Sequence, residues 1–243
     1  LVGINGAGKS TVLDAAALTL SWLVNRIKTR SASGRPILES DITVGMPSSR
    51  VEICTRLNGE DYQWQLAKAR RAHDSSSSRS ELGEVNELAA IYRNEISASD
   101  GTSNLPLFAY FPVNRSVLDI PLRIRAKHQF NQLSAYEESL TSGANFRVFF
   151  EWFREREDLE NEKKRDLGQD YSDQQLDVVR KALSEFLPNY QRPRVLRSPL
   201  RMVVDKMGVE LSISQLSDGE KCLMALIGDL ARRLAIANPS LKY

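Results

Sequence analysis

The sequence has 243 residues, of which 42% are hydrophobic and 26% charged, and its 33 basic and 31 acidic side chains leave a formal charge of only +2. This composition is that of an ordinary globular protein, and it excludes a disordered chain or a strongly basic nucleic-acid-binding protein. The sequence contains no signal peptide and no apolar run of about 18 residues, so we expect a cytoplasmic protein that does not span a membrane.

The cysteines and histidines carry no disulfide or metal pattern. Cys54 and Cys222 are far apart, in a predicted strand and a predicted helix, which is typical of packed, reduced thiols. His73 and His128 are isolated in the sequence, so a histidine-based metal cluster is not supported.

A glycine-rich loop opens the sequence. Gly3 and Gly8 have the spacing G-x-x-x-x-G-K-S, every fixed position is filled, and a helical pattern follows at once, which disfavours a chance glycine-rich turn. Backbone N–H groups of such a loop surround phosphate oxygens at a helix N-terminus. Lys9 would supply a positive charge to the β- and γ-phosphates, and the Ser10 hydroxyl is the natural Mg²⁺ ligand. The predicted nucleotide-binding residues are Asn5, Gly6, Ala7, Gly8, Lys9, Ser10 and Thr11.

This loop lies unusually close to the start of the sequence. Only Leu1 and Val2 precede Gly3, whereas a P-loop normally follows a buried strand of about five residues. We therefore expect the sequence to begin inside its first element and to belong to a longer protein.

Apolar periodicity predicts the elements of the first half of the chain. The run 105–111 is apolar almost throughout, which is typical of a strand buried on both faces in the sheet that carries a P-loop. Residues 73–80 are rich in serine and are expected to form a mobile loop. The predicted elements are a helix over 11–28, a short strand at 42–44, a hairpin of 50–57 and 62–69 around the turn 58–61, a helix over 81–97 and a strand over 105–111.

The second half is predicted to be more helical. In the helix over 145–167, the aromatic first half is expected to pack and the charged second half to project into solvent. A helix over 173–187, with Ser172 as its N-cap, and a hairpin of 195–204 and 209–213 follow. Charged positions expected on solvated surfaces are Arg123, Arg125, Lys127 and His128 in a loop, and Asp229, Arg232 and Arg233 on a helix face.

A second candidate site lies at 214–221, before a helix predicted over 222–237. Ser217 and Gly219 stand at the mouth of that helix, where a hydroxyl, free N–H groups and the positive end of the helix dipole favour an anion. The alternative is a simple helix cap, in which Ser217 is the N-cap residue and Glu220 completes a capping box.

Together the two motifs, G-I-N-G-A-G-K-S-T at 3–11 and L-S-D-G-E at 216–220, resemble those of the ABC-type ATPases, in the SMC, RecF and OLD-like branch. In that family the signature serine and glycine close over the γ-phosphate bound to the loop of a second protomer. The resemblance therefore implies that Ser217, Gly219 and Glu220 contact ATP in trans.

The insert between 112 and 215 is too short for a long SMC-like arm at about 1.5 Å per residue. The stretches 109–115 and 228–233 are similar to the compact heads of PtuA, from the Septu defence systems, and of the retron-associated ATPases. The nearer resemblance is therefore to these compact heads.

Two departures from the family pattern limit the assignment of catalytic residues. The Walker B strand, which ends in the Asp-Glu pair, is expected soon after Pro239, but the sequence ends at Tyr243, so no catalytic base is assigned. The family usually has a glutamine after the strand predicted to end at Phe111. Here Asn114 and Arg115 follow, and either is a candidate for approaching the metal or the γ-phosphate.

The predicted fold class is α/β: a P-loop NTPase of the ABC-ATPase head type with an antiparallel β lobe and a helical lobe, incomplete at its C-terminus. The predicted domains are the P-loop strand, helix and antiparallel lobe over 1–112, a helical insert lobe over 113–190, and a hairpin with the signature helix over 191–243. The resemblance implies that the protein binds and hydrolyses ATP with Mg²⁺.

The resemblance also implies partners. Heads that sandwich ATP would form a head-to-tail homodimer or a higher homo-oligomer, and the expected partner is an HNH-type nuclease controlled by the ATPase in antiphage defence. Contact with nucleic acid, including retron RNA or DNA, would then run through the partner complex.

Two other functions stay open. One is a DNA-repair or chromosome-maintenance head that acts directly on DNA through Arg192, Arg194, Arg197 and Arg201. The other is a nucleotide-gated scaffold that binds ATP with little hydrolysis. Because the chain is nearly neutral, we expect these arginines to be structural or to bind a partner.

Overall fold

The computed structural model describes residues 2–71, 79–112 and 130–241. These residues have mixed α/β content, as predicted, and no helix among them is both long and apolar enough to cross a bilayer. Outside the described residues lie the predictions for His73, Asn114, Arg115, Arg123, Arg125, Lys127 and His128.

The chain forms two compact units. One consists of Leu1–Ser103 with Phe108–Tyr110, and the other of Asn104–Leu107 with Phe111–Tyr243. The glycine-rich loop belongs to the first unit and the second motif to the second unit.

The first unit packs two helices against a β-hairpin. Its core includes Leu23 and Trp64, each 1% exposed. The Trp64 indole N–H donates to the Thr19 carbonyl at 3.1 Å, which ties the hairpin to the helix that follows the loop. The elements are helix α1 (Lys9–Lys28), strands β1 (Ser48–Leu57) and β2 (Glu60–Ala69), and helix α2 (Gly83–Ala98).

The hairpin confirms the sequence prediction and has a shorter turn than predicted. Leu57 pairs with Glu60, so Asn58 and Gly59 alone form the turn. Their φ angles of 52° and 89° both lie in the left-handed region, which is what a two-residue turn between antiparallel strands needs and what Asn-Gly supplies. Cys54 is a free, exposed thiol on β1 and is therefore not packed as predicted.

Two predicted strands are wrong. Residues 42–44 follow a 3-10 turn at Glu39–Asp41, and the Ile42 carbonyl accepts a hydrogen bond from Arg70 at 3.1 Å instead of pairing with a strand. In the apolar run 105–111 only Leu105 is buried. Its N–H donates to the Ala237 carbonyl at 3.1 Å, at the end of a helix. A strand requires a neighbouring strand's backbone, and neither segment has one among the described residues.

The described residues of the second unit form three α-helices and a three-stranded antiparallel sheet, in which the strands lie side by side in sequence order. Residues 195–204, predicted as one strand, are divided by a turn at Ser198-Pro199. Proline has no N–H to donate to a sheet, so it interrupts the pairing there. The elements are helices α3 (Phe146–Leu167) and α4 (Gln174–Phe186), strands β3 (Tyr190–Arg197), β4 (Leu200–Lys206) and β5 (Val209–Ser212), and helix α5 (Asp218–Ala237).

The aromatic half of α3 packs as predicted. Phe149, Trp152 and Phe153 are each 0% exposed. Gly228 of α5 faces the Phe149 ring so closely that a Cβ atom there would lie 2.8 Å from the ring. Because real Cβ atoms do not approach so near, glycine is required where these two helices meet.

The charged half of α3 is exposed or half-buried over most of its length, as predicted, but two of its carboxylates are buried. Glu157 and Glu160 are 6% and 3% exposed. Glu157 accepts hydrogen bonds from Arg197 at 2.8 Å and from the Val195 N–H at 3.0 Å. Burial raises the pKa of Glu160, but bonds from the Asp173 N–H and from Arg180 outweigh it and leave that pKa below its ordinary value.

The N-cap of α4 is residue 173, and not residue 172 as predicted. The Asp173 carboxylate accepts the Leu176 N–H at 3.0 Å, which is the contact of an N-cap. The same carboxylate accepts hydrogen bonds from both Nε and Nη2 of Arg156 on α3. Asp173 therefore caps α4 and also joins it to α3, whereas Ser172 was predicted as the cap.

Asp229, Arg232 and Arg233 do not lie on a solvated face as predicted. They are 0%, 1% and 2% exposed. Asp229 accepts Arg232 Nη2 at 2.7 Å and Arg233 Nε at 2.9 Å. Arg233 also donates to the carbonyls of Ala135 and Glu137 at 2.6 and 2.8 Å. A buried ion triad thus fastens the 3-10 turn Gln132–Tyr136 and the residue after it to α5.

Removing the negative charge of this triad should destabilise the fold. We expect Asp229→Asn to lower the free energy of unfolding by about 3–5 kcal/mol, because two buried guanidinium groups lose their counter-charge. Urea denaturation of the variant measures this. Asp218→Asn, the same change at the exposed start of the same helix, should cost below about 1 kcal/mol. Equal effects of the two changes would contradict the role of the triad.

Candidate nucleotide-binding site

The glycine-rich loop forms a turn that ends at the N-terminus of α1. Gly6 and Gly8 have φ angles of 84° and 79°, and Gly8 is the N-cap residue. A side chain at either position would be strained, so the loop requires glycine there. The Ala7 N–H donates to the Ile4 carbonyl at 3.2 Å, and the first helical bond runs from the Val12 N–H to the Gly8 carbonyl at 3.0 Å.

The Lys9 ammonium lies over the loop. It donates to the carbonyls of Gly3 and Ile4 at 2.6 and 2.7 Å. An ammonium group has three N–H donors, so a further one is available to an anion in the loop. Ser10 and Thr11 are exposed at the start of the helix, where their hydroxyls are accessible.

The N-terminus of α1 is suited to an anion. No side chain caps it and no acidic residue lies in its first turn, so the positive end of the helix dipole is not compensated. The nearest carboxylate on the helix, Asp14, is paired with Arg35 at 2.9 Å. A loop of this kind with a mobile ammonium fits a phosphate group.

The donor set also fits Mg²⁺ held together with phosphate. Magnesium prefers oxygen ligands and usually keeps waters and substrate phosphates in its shell. The Ser10 hydroxyl is the protein ligand predicted for it. No group of three or more His, Cys, Asp or Glu side chains able to hold a metal lies among the described residues.

The second motif forms the exposed N-terminus of α5. Ser217 is the N-cap residue, and Ser217, Asp218 and Gly219 are exposed. The Glu220 carboxylate accepts the Ser217 N–H at 2.8 Å, the backbone contact expected of the capping-box alternative. The cap is therefore present, and a role in trans for Ser217 and Gly219 stays a prediction.

Two residues of this site were not predicted from the sequence. The Glu220 carboxylate also accepts the Lys206 ammonium at 2.6 Å and the Tyr190 hydroxyl. The bonds from Lys206, Tyr190 and Ser217 hold the pKa of Glu220 at about 2, below its ordinary 4.5. Tyr190 and Lys206 come from β3 and β4, and nothing in the local sequence relates them to the start of α5.

Three of the four arginines considered for DNA contact are paired with carboxylates, whereas Arg201 on β4 forms no ion pair with the described residues. Arg192 pairs with Asp205, and Arg194 pairs with Glu210. Arg197 bonds Asp158 at 3.1 Å as well as the buried Glu157. These contacts favour a structural role for the arginines over an open basic surface.

The loop, its lysine and the uncapped helix define a P-loop nucleotide-binding protein. Residues 1–236 match the family described as AAA domain, putative AbiEii toxin, Type IV TA system, and the chain belongs to that family. Membership supports a mixed α/β P-loop ATPase domain. The features particular to ABC heads remain predictions.

The chain is also similar to two retron proteins. It is 29% identical over 299 residues to the Retron Ec83 probable ATPase of Escherichia coli, with 99% of this chain and 55% of that protein covered. It is 28% identical over 289 residues to the Retron Vc95 probable ATPase of Vibrio cholerae, with 100% and 56% covered. The chain thus spans just over half the length of these relatives, and the predicted resemblance to retron-associated ATPases is confirmed.

The charge state of Glu220 should depend on Lys206. A nuclear magnetic resonance titration should give a midpoint near 2 for Glu220. Since the folded-state pKa is depressed, these contacts stabilise the fold above the ordinary pKa, and the stabilisation is lost as the pH falls through that midpoint. Lys206→Met should move the midpoint towards 4.5, whereas Lys221→Met, which removes the partner of Asp218, should leave it unchanged. If Glu220 titrated near 4.5 in the unsubstituted protein, the three contacts assigned to its carboxylate would be contradicted.

Proposed function

We propose that this chain is an ATPase head that binds Mg·ATP at residues 5–11 and hydrolyses it. The observation that carries the proposal is the loop itself, in which Gly6 and Gly8 adopt left-handed conformations before an uncapped helix N-terminus that has no acidic first turn. The comparisons support the proposal because the chain belongs to a P-loop ATPase family.

These residues would act electrostatically, by binding and stabilising negative charge. Backbone N–H groups of the loop and the Lys9 ammonium bind the phosphates and stabilise the charge that develops on the β–γ bridging oxygen during transfer to water. Ser10 and Thr11 lie in the first turn of α1, where the positive end of the helix dipole would attract the phosphates. Magnesium, when bound, neutralises phosphate charge, with the Ser10 hydroxyl as the proposed protein ligand.

We further propose that two heads pair head to tail around ATP. Ser217 and Gly219 are exposed at the N-terminus of the long helix α5, as a contact in trans requires. The charge of Glu220 at this end is balanced by Lys206, 2.6 Å away, and Asp218 is fully exposed, where solvent screens it. The positive end of the α5 dipole is therefore left for a phosphate of the opposite protomer.

The proposed biological role is control of a partner nuclease of the HNH type in antiphage defence. Support comes from the similarity to two proteins named as retron probable ATPases. Contact with nucleic acid would then run through the partner complex. The paired arginines of β3 are consistent with this, because few of their charges are free for direct binding of DNA.

Lys9→Ala should weaken ATP binding by more than about tenfold, because the substitution removes the ammonium that the loop offers to the phosphates. Isothermal titration with the full chain measures this. Lys28→Ala, an exposed lysine at the other end of α1, is the matched control and should bind normally. Unchanged affinity of Lys9→Ala, with the fold confirmed by circular dichroism, would remove the loop from the mechanism.

Ser217→Arg should leave ATP affinity nearly intact and abolish ATP-dependent pairing, because a bulky cation opposes the dipole and fills the phosphate space. Mixing Ser217→Arg with Lys9→Ala protein should restore one working site per heterodimer, which the ATPase rate reports. Ser184→Arg, at an exposed serine of α4, is the control for the added charge. If Ser217→Arg lost ATP affinity, or paired normally, the second motif would be a helix cap only.

A further inference from the structure

Glu220 is held from three elements of the second unit. Its Oε2 accepts the Ser217 N–H at 2.8 Å, at the first turn of α5. Its Oε1 accepts the Lys206 ammonium at 2.6 Å, from the end of β4, and the Tyr190 hydroxyl, from the start of β3. One carboxylate thus joins the exposed serine turn to two strands of the sheet.

The two donors on the sheet are placed by strand pairing. Tyr190 and Lys206 are directly opposite each other in the β3–β4 register. The Lys206 ammonium also lies 5.5 Å from the centre of the Tyr190 ring, within range of a cation–π contact. Their positions are therefore set by the backbone of the sheet, and a displacement of the sheet moves both donors together.

Glu220 itself has little freedom left. Its side chain is 26% exposed, and each of its oxygens has a donor from a different part of the chain. Charge-assisted hydrogen bonds of this kind are short and directional. The orientation of the Ser217 N–H, and with it the Ser217 hydroxyl and the free N–H of Gly219, follows from where Lys206 and Tyr190 hold the carboxylate.

Lys206 has a second effect on the same turn. An unbalanced carboxylate in the first turn of α5 would repel a phosphate approaching that helix end. The Lys206 ammonium, 2.6 Å from Glu220, balances the charge of that carboxylate.

We propose that Lys206 and Tyr190 are positioning residues for the ATP contact made in trans, and that they act through Glu220. In this proposal Glu220 orients Ser217 instead of contacting the nucleotide itself, as the resemblance implied. This inference rests on the proposed pairing of heads around ATP.

The test compares Lys206→Met with Lys206→Arg in the full chain. Lys206→Met should lower kcat for ATP by about tenfold, the effect of losing a charged hydrogen bond, with little change in the Kd for a fluorescent ATP analogue bound to the Lys9 loop. Lys206→Arg, which keeps a cationic donor, should restore most of kcat.

Tyr190→Phe should give a smaller loss in kcat. Hydrogen exchange at the Ser217 N–H should be faster in Lys206→Met.

Arg192→Met is the matched control, since it removes another ion-paired cation from β3 that has no contact with the serine turn. It should leave kcat and Ser217 exchange unchanged. Normal kcat in Lys206→Met overturns the inference, even if Ser217 exchange is faster, because the contact would then be structural only. If unmodified protein does not pair with ATP, the proposed function fails first and this inference falls with it.

Discussion

The buried carboxylate of Asp229 holds α5 in its place in the second unit. Asp229 carries one negative charge and faces two guanidinium groups, so the triad keeps an excess of positive charge. The carbonyl oxygens of Ala135 and Glu137 offset that excess by accepting from Arg233. Because buried charge is tolerated only when it is fully paired and hydrogen-bonded, the turn that carries these carbonyls has to remain against α5. The helix that begins at the serine turn is thereby fixed at its far end.

The N-termini of α1 and α5 differ in how they are capped and in the charges of their first turns. The one after the glycine-rich loop has no cap and no carboxylate, so the anion that completes it must come from outside the helix. The one at α5 already has an internal capping contact, with Glu220 balanced by a lysine from the sheet. The first arrangement suits strong binding of a phosphate, whereas the second suits a weaker contact that forms only when another surface brings the phosphate to it.

How far the sequence predicts the structure depends on how local each feature is. The loop at Gly8 and the Asn58-Gly59 turn follow from backbone preferences of adjacent residues, so both were predicted. The burial of Glu157 was missed because its partner Arg197 lies on a strand 40 residues further on, and charge runs on a helix usually indicate a solvated face. Lys206 was missed for the same reason: its role depends on a sheet register that no local pattern reveals.

The contact between Gly228 and the Phe149 ring has a mechanical consequence. Every other residue near Gly228 on α5 carries a Cβ atom, so sliding α5 along α3 would drive that atom into the ring. Slippage of α5 along α3 is therefore opposed in both directions at this contact, and Gly228 fixes the register in which the two helices pack.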